Sequence, residues 1–413
     1  MHFKGFQGRI QSMKHFLIFG NHPRIALAEY RIVTHAEQKP ILVDYGAIEE
    51  NQEWDGNGLM DRLAGTVKLG DIVNSIPSRD IRTETFADII QSFPRGSNIA
   101  FGFTVLGGTE KERRSLLHIP IALKQVLKDR GIRCRWVTSK DGKPLTPAAV
   151  AKLNLTTDGY DFVVLADRAH VHIGLTTHVQ NADAWSERDY GRPVRDETAG
   201  MLPPKLARIL VNLADIRPGQ TVLDPFCGNG TVLMEAALAT QAARIIGTDI
   251  DAKQTASSTQ NIEWLITRGI LSRSDQKRIE HATADARFLS KRFAEGSLDR
   301  IVTEGSLGPP LKGSEDERAL NIVRKNIEEL WTETLRELHP LLSSDGKLIM
   351  VWPSFRTAKG SAAAELSSDT LAKLGYDLIH PLEGWENRPR PLLYHREGQK
   401  IARRILVLRK RTI

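Results

Sequence analysis

The run Thr221-Val222-Leu223-Asp224-Pro225-Phe226-Cys227-Gly228-Asn229-Gly230-Thr231-Val232-Leu233-Met234-Glu235-Ala236-Ala237 restricts this chain more than any other stretch. It reads as a short buried strand, a glycine turn and a helix. Val222 and Leu223 are apolar and β-prone. Gly228 and Gly230 permit a tight turn and leave no side chain between the backbone and a ligand. Asp224 falls at the carboxyl end of the strand, where open α/β sheets bind their ligands. The next strand, Arg244 to Asp251, carries Asp249, 25 residues after Asp224. That is near the spacing at which such folds set an acid on a ribose hydroxyl. The competing reading is an ordinary Rossmann-type turn that binds a dinucleotide or nothing. The nicotinamide fingerprint G-x-G-x-x-G is absent, because the third position is Leu233.

A chain of 413 residues has room for two or three domains of about 100–200 residues each. The net charge of +7 favours a polyanionic partner without proving one. Two cysteines, Cys134 and Cys227, exclude a disulfide framework and a cysteine-rich zinc site, which fits a reducing cytoplasm. No apolar run approaches the roughly 18 residues of a membrane span, and no metal-ligating pattern stands out. Residues 2–12 are polar and unpatterned. Met13 begins the first strand and is a candidate start; otherwise the leader is a short arm.

Taken in order, Lys14 to Gly20 is a strand, and Asn21-His22-Pro23 opens a helix from Arg24 to Ala36 with Asn21 as N-cap. Pro40 to Tyr45 is a second strand. Residues 59–76 read as short strand segments punctuated by Gly65 and Gly70. Thr83 to Ser92 is a helix and Asn98 to Leu106 a strand. Lys111 to Gly131 is a long helix, with Leu116, Leu117, Ile121, Leu123 and Leu127 among basic residues. Its basic face is either a solvated face or a polyanion surface. Strands over 132–137, 162–167 and 170–175, the last two a hairpin, complete an α+β unit. Arg188-Asp189-Tyr190-Gly191-Arg192-Pro193-Val194-Arg195-Asp196 has no apolar periodicity and reads as a loop. Its arginine forks suit phosphates and carboxylates. They can also lock domains together by pairing with acids, and the two roles can coexist. Gly200-Met201-Leu202-Pro203-Pro204-Lys205-Leu206-Ala207 starts a helix that leads to the strand at Thr221.

Four signatures occur in one order: Asn21-His22-Pro23 after a strand, the Arg188–Asp196 loop, Gly200 to Ala207, and Asp224 to Thr231. Together they resemble the THUMP-domain tRNA guanine-N2 methyltransferases that act on guanosine 10, from about Met13 to the end. The resemblance implies an α/β chain with a C-terminal Rossmann-like class I methyltransferase sheet, preceded by an α+β ferredoxin-like/THUMP half. The expected domains are a ferredoxin-like domain over 13–80, an RNA-binding THUMP domain over 81–180, a linker over 181–205 and the methyltransferase over 206–413. S-adenosyl-L-methionine is the implied cofactor and tRNA the implied partner. A small activator protein is a further candidate, because eukaryotic relatives work with one.

Methyl transfer from a sulfonium needs little electrophile activation, so the enzyme's task is to align the amine, accept its hydrogen bonds and swing the base out. By resemblance Asp224, Gly228 and Gly230 line the methionine part of the cofactor, and Phe226 and Thr231 are further cofactor-binding residues. Asp249 takes the ribose, with Asp251 as the alternative, and Ile250 follows it. Asp285 accepts from the adenine amine beside Ala286. Asp251 and Asp285 also read as helix-cap or loop acids. Arg188, Arg192, Arg195, Pro309 and Pro310 are the expected substrate contacts. The family's Asp- or Asn-Pro-Pro-aromatic tetrapeptide is replaced after the strand 298–303 by Glu304-Gly305-Ser306-Leu307. Glu304 stands where the acid belongs and is the catalytic candidate. The stacking aromatic must come from elsewhere; Trp352 and Phe355 are candidates that also read as packing residues. Two other readings follow: an RNA-binding homologue without turnover, and a DNA amino-methyltransferase, in which the N-terminal half has no role. The remaining expectations are a helix over 318–339, a strand over 347–352 after a Ser344-Asp345-Gly346 turn, a helix over 369–374 ended by Gly375, and a last strand over 402–408. The segment Arg388 to Arg396 reads as a base-stacking loop or an ordinary rigid one.

Overall fold

The computed structural model describes residues 14–50, 55–96, 98–139, 143–195, 201–309, 317–357, 360–363, 366–396, 399 and 401–411. Met13, Asp196, Gly200, Pro310 and the leader lie outside them. The chain forms two compact units. Of the described residues, the first takes 14–23 and 38–183, the second 24–37 and 184–411.

The first unit is one eight-stranded sheet. Its spatial order is Ile41–Val43, Gly46–Glu49, His15–Phe19, Thr66–Pro77, His170–Val179, Tyr160–Ala166, Asn98–Gly107, Arg133–Trp136. The strands expected in separate domains over 13–80 and 81–180 therefore share a sheet, joined where Thr66–Pro77 pairs antiparallel with His170–Val179. Phe86 of the Thr83–Ser92 helix meets Phe162 edge-on at 5.4 Å over this sheet. The expected segmentation of 59–76 gives way to a Gly56–Arg62 helix, N-capped by Asp55, and one continuous strand. Gly70 does not break that strand. It admits a close neighbour, since a Cβ there would sit 2.1 Å from the Leu175 carbonyl oxygen.

The basic helix runs Glu110–Asp129, with a capping box between Thr109 and Glu112. Leu116, Ile119, Leu123 and Leu127 form its buried stripe at helical spacing. Leu117 and Ile121 are exposed instead of packed.

The second unit holds a nine-stranded sheet. Its main order is Ile279–Thr283, Arg244–Asp249, Thr221–Asp224, Leu298–Thr303, Leu342–Thr357, Ile401–Lys410, Tyr376–Ile379. The first five are parallel and the last two antiparallel to their neighbours. Both faces of the parallel strands are covered, so Val222, Leu223, Ile301 and Val302 are all buried. The order reverses between Thr221–Asp224 and Leu298–Thr303, which opens a crevice beyond their carboxyl ends. This is the expected α/β, Rossmann-like arrangement. The expected 344–346 turn is absorbed into the Leu342–Thr357 strand as a register shift, where Leu298 faces Leu342 but Arg300 faces Lys347.

Two segments differ from the sequence reading. The Pro23–Thr34 helix belongs, from Arg24 onward, to the second unit, whereas the residues on either side of it in sequence belong to the first. Arg24 forks onto Glu386, Glu29 accepts from Asn212 at 2.7 Å, and the Arg31 guanidinium lies over the Trp385 ring. The start of the expected arginine loop is helical, as part of Ala182–Tyr190. Its burial of Trp185 and Arg188 supplies the order that periodicity did not show.

Candidate active site

The glycine turn is built by backbone conformations that other residues resist. Gly228 has φ +49° and Gly230 has φ +85°. The Gly228 N–H donates to Asp249 Oδ2 at 3.0 Å, which ties the turn to the next strand. Gly230 precedes the Thr231–Ala239 helix, and a Cβ there would lie 2.1 Å from Ser258 Oγ, itself held by His281 at 2.8 Å. We expect Gly230→Ala to lower the melting temperature by roughly 2–8 °C, from about 1–2 kcal/mol of left-handed strain plus the clash. Adding Ser258→Gly should recover only the clash. Thermal unfolding checks both, and an unshifted Gly230→Ala transition would refute the argument.

A cleft of about 450 Å³ opens over this turn. Asp224, Phe226, Gly228, Thr231, Asp249 and Glu304 all line it. So do Met201 and Leu202 of the second signature, with Cys227, Asn229, Val232, Asp251, Gln254 and residues 305–308. Asp251 also caps the Ala252–Thr267 helix by accepting from Lys253 N–H, so the helix-cap reading of this acid holds geometrically.

Gly230, Ile250, Asp285, Ala286 and Pro309 are not among the lining residues. Ile250 is 68% exposed next to Asp249, an apolar side chain left open to water. Asp285 is engaged by Arg287, at 3.0 Å from Nε and 2.7 Å from Nη2, and this keeps its carboxyl below the ordinary range. Ala286 packs into the core.

The arginines are placed differently from free phosphate readers. Arg188 and Arg208 both meet the fully buried Glu235, at 2.8 Å each. Arg192 is buried and donates to Thr231 Oγ1 at 2.6 Å. Arg195 lies over the exposed Tyr190 ring at 5.3 Å. In this structure Arg188 and Arg192 lock the segment onto the helix behind the turn.

The cleft is acidic. Burial foremost, together with the charges of Asp249 and Glu304, pushes the Asp224 carboxyl up to about 7, against the Phe226 N–H that donates to its Oδ1 at 3.1 Å. Burial also raises Glu304, opposed by Arg403, whose Nε donates to Glu304 Oε1 at 2.6 Å.

The Glu304-Gly305 departure has a structural counterpart. A Cβ on Gly305 would stand 2.4 Å from the Trp331 indole, which is fully buried and 5.2 Å from the Phe226 ring. Trp352 and Phe355 are fully buried in the same core and do not line the cleft. Phe226 is the lining aromatic. Sequence reasoning missed Arg403 and Trp331. Arg403 left only an ambiguous signal, since it stands beside Arg404 in the last strand and nothing local says which of the two is buried.

A mostly parallel sheet, a glycine turn at its switch point, an acid ending the adjacent strand and a carboxylate on the facing strand define a Rossmann-like methyltransferase. A family model described as UPF0020, RMKL-like, methyltransferase domain matches residues 192–370. The tRNA (guanine(10)-N2)-dimethyltransferase of Methanocaldococcus jannaschii is 33% identical over 211 residues, 49% of this chain and 52% of that one. The "Probable tRNA (guanine(10)-N2)-dimethyltransferase" of Methanothermococcus thermolithotrophicus is 30% identical over 146 residues, 35% of this chain and 77% of that one. The chain belongs to this tRNA guanine-N2 methyltransferase family. It spans 40% and 52% of the length of two curated relatives it matches. In fold it is similar to TrmN of Thermus thermophilus, with a TM-score of 0.53 and 18% identity, covering 96% of this chain and 99% of that one. No described helix is long and apolar enough to cross a membrane, and no metal-holding cluster occurs among the described residues.

Proposed function

We propose that this chain transfers a methyl group from S-adenosyl-L-methionine to the exocyclic N2 of a guanosine in tRNA, at position 10, in the cytoplasm. The observation that carries the reading is the acidic cleft at the switch point, where Asp224, Asp249 and Glu304 converge on a space of about 450 Å³. The residues present fit the cofactor. Gly228 sets no side chain between its backbone and the cleft, Asp249 ends its strand at the rim, and exposed Ile250 offers an apolar surface. Asp249 would hold the ribose, and Asp224 and the turn the methionine part. The bound cofactor supplies an electrophilic methyl group on a cationic sulfur. Glu304 accepts hydrogen bonds from the amine and so orients its lone pair. A carboxylate as final proton acceptor is not required, since the methylated amine loses its proton to water.

The first unit we assign to docking the RNA, through the THUMP portion expected over 81–180 and the ferredoxin-like portion before it. A second reading, an RNA-binding homologue without turnover, is favoured by the missing aromatic after Glu304. One experiment separates them. The full chain is incubated with methyl-labelled cofactor and unmodified tRNA, and the nucleosides are identified by mass spectrometry. N2-methylated guanosine is the expected product; bound cofactor with no labelled nucleoside would refute the enzyme. Duplex DNA at the same salt is the comparison that tests the DNA reading.

Asp224 gives this reading a pH signature. Its carboxyl ionises around pH 7, so a cationic ligand meets one more negative charge above that pH than below it. Affinity for S-adenosylmethionine should rise between pH 6 and 8, by up to about tenfold per pH unit in the limit of full coupling. The uncharged thioether product S-adenosylhomocysteine should respond less, and Asp224→Asn should flatten the difference. Calorimetric titration of both ligands at three pH values decides it; pH curves that Asp224→Asn leaves unchanged for S-adenosylmethionine would contradict the assignment.

A further inference from the structure

The cleft's candidate acceptor is not a free carboxylate. Glu304 is 9% and Arg403 is 3% exposed at the side chain, and the two form a fork: Nε to Oε1 at 2.6 Å and Nη2 to Oε2 at 3.4 Å. Arg403 is itself held, with Nη1 donating to Gln399 Oε1 at 3.3 Å. It comes from the Ile401–Lys410 strand, 99 positions away in sequence, and enters beside Glu304 at the end of Leu298–Thr303. Resting on the reading of Glu304 as amine acceptor, we propose that Arg403 is a positioning residue of the methyl-transfer site, holding Glu304 as a fixed, ionised carboxylate.

A buried carboxyl with no cation beside it takes up a proton, and a protonated oxygen is a donor where an acceptor is needed. Burial raises Glu304, and the charge and hydrogen bond of Arg403 oppose it. A carboxylate has about four acceptor sites, of which the arginine fork uses two. Two remain, matching the two N–H groups of an unmethylated exocyclic amine. Arginine is suited to this because its planar fork fixes the carboxylate plane as well as its charge. Glutamate has one more rotatable bond than aspartate and is followed here by Gly305, and Arg403 supplies the restraint.

The test uses the full chain with Arg403→Met and Arg403→Lys. Glutamate labelled with ¹³C at the carboxyl is titrated by NMR in the apo-protein, with Glu304→Gln identifying the signal. The Glu304 midpoint is expected to move upward in Arg403→Met and to return most of the way in Arg403→Lys. In methylation assays the ascending limb of kcat against pH should move upward by at least about one unit in Arg403→Met, a roughly tenfold loss at fixed pH below it. KM for RNA and cofactor affinity should stay within a few-fold. If Arg403→Met folds poorly, Arg403→Lys and the Glu304→Gln/Arg403→Met pair carry the comparison. A lowered melting temperature with the Glu304 titration and the pH–rate limb both unmoved would make the pair a structural tie and overturn the proposal. A wild-type chain that methylates no guanosine would overturn the proposed function instead, and the NMR titration still decides whether Arg403 sets the state of Glu304.

Discussion

Glu235→Gln should cost the methyltransferase unit about 3–5 kcal/mol of stability, a fall in melting temperature of roughly 6–20 °C. Glu235 is fully buried on the Thr231–Ala239 helix, directly behind the glycine turn. Its two oxygens serve two buried arginines, Arg188 through Nε to Oε1 and Arg208 through Nε and Nη2 to Oε2. The Trp185 ring packs under the Arg188 guanidinium at 4.2 Å, with that of Arg208 at 5.5 Å. Glutamine keeps the volume and removes the charge, leaving two guanidiniums buried together without an anion between them. Breaking one partner of such a group is costly, whereas replacing the whole group by apolar residues can be neutral. Arg188→Met/Glu235→Leu/Arg208→Met should therefore melt closer to wild type than Glu235→Gln does. Thermal unfolding followed by circular dichroism checks the order. If the single and triple variants melt with the wild type, the triad contributes nothing and the arginines are available for another role.

The same triad shows why part of the site was legible in the sequence and part was not. The glycine turn was legible because positive φ at two positions is a local requirement that leaves its mark as glycine. The strand and helix around it were legible because burial on both faces forces an apolar run. Asp249 could be placed because the distance between successive strands of such a fold is nearly fixed. Arg188 was misplaced on a loop because the Ala182–Tyr190 helix buries Trp185 and Arg188, not an apolar stripe. Periodicity measures hydrophobic burial and is silent about ionic burial. Glu304 could be located by its strand, but its partner is 99 residues on, in a strand where adjacent Arg403 and Arg404 give no local sign of which one meets an acid. The Pro23–Thr34 helix was read correctly as a helix. Its membership in the second unit depends on Glu386, Trp385 and Asn212, contacts that no local pattern encodes.

Glu304→Gln should lower kcat for methyl transfer by about 10²–10³-fold, the usual loss on removing one preorganised polar partner of a transition state. KM for RNA should change little, because the interaction matters only once the amine is aligned. The difficulty in reading such a variant is that Arg403 is left with an amide in place of a carboxylate, and the resulting instability could itself slow the enzyme. Adding Arg403→Met removes the stranded charge. On that background the melting temperature should recover while the rate stays low, which separates the chemistry from the folding. The opposite pattern, a rate that recovers with stability, would mean that Glu304 serves only the ion pair. Asp224 would then be the one buried carboxyl left in the cleft to accept from the amine. Its ionisation near pH 7 would make the rate itself, and not only cofactor affinity, climb through neutrality.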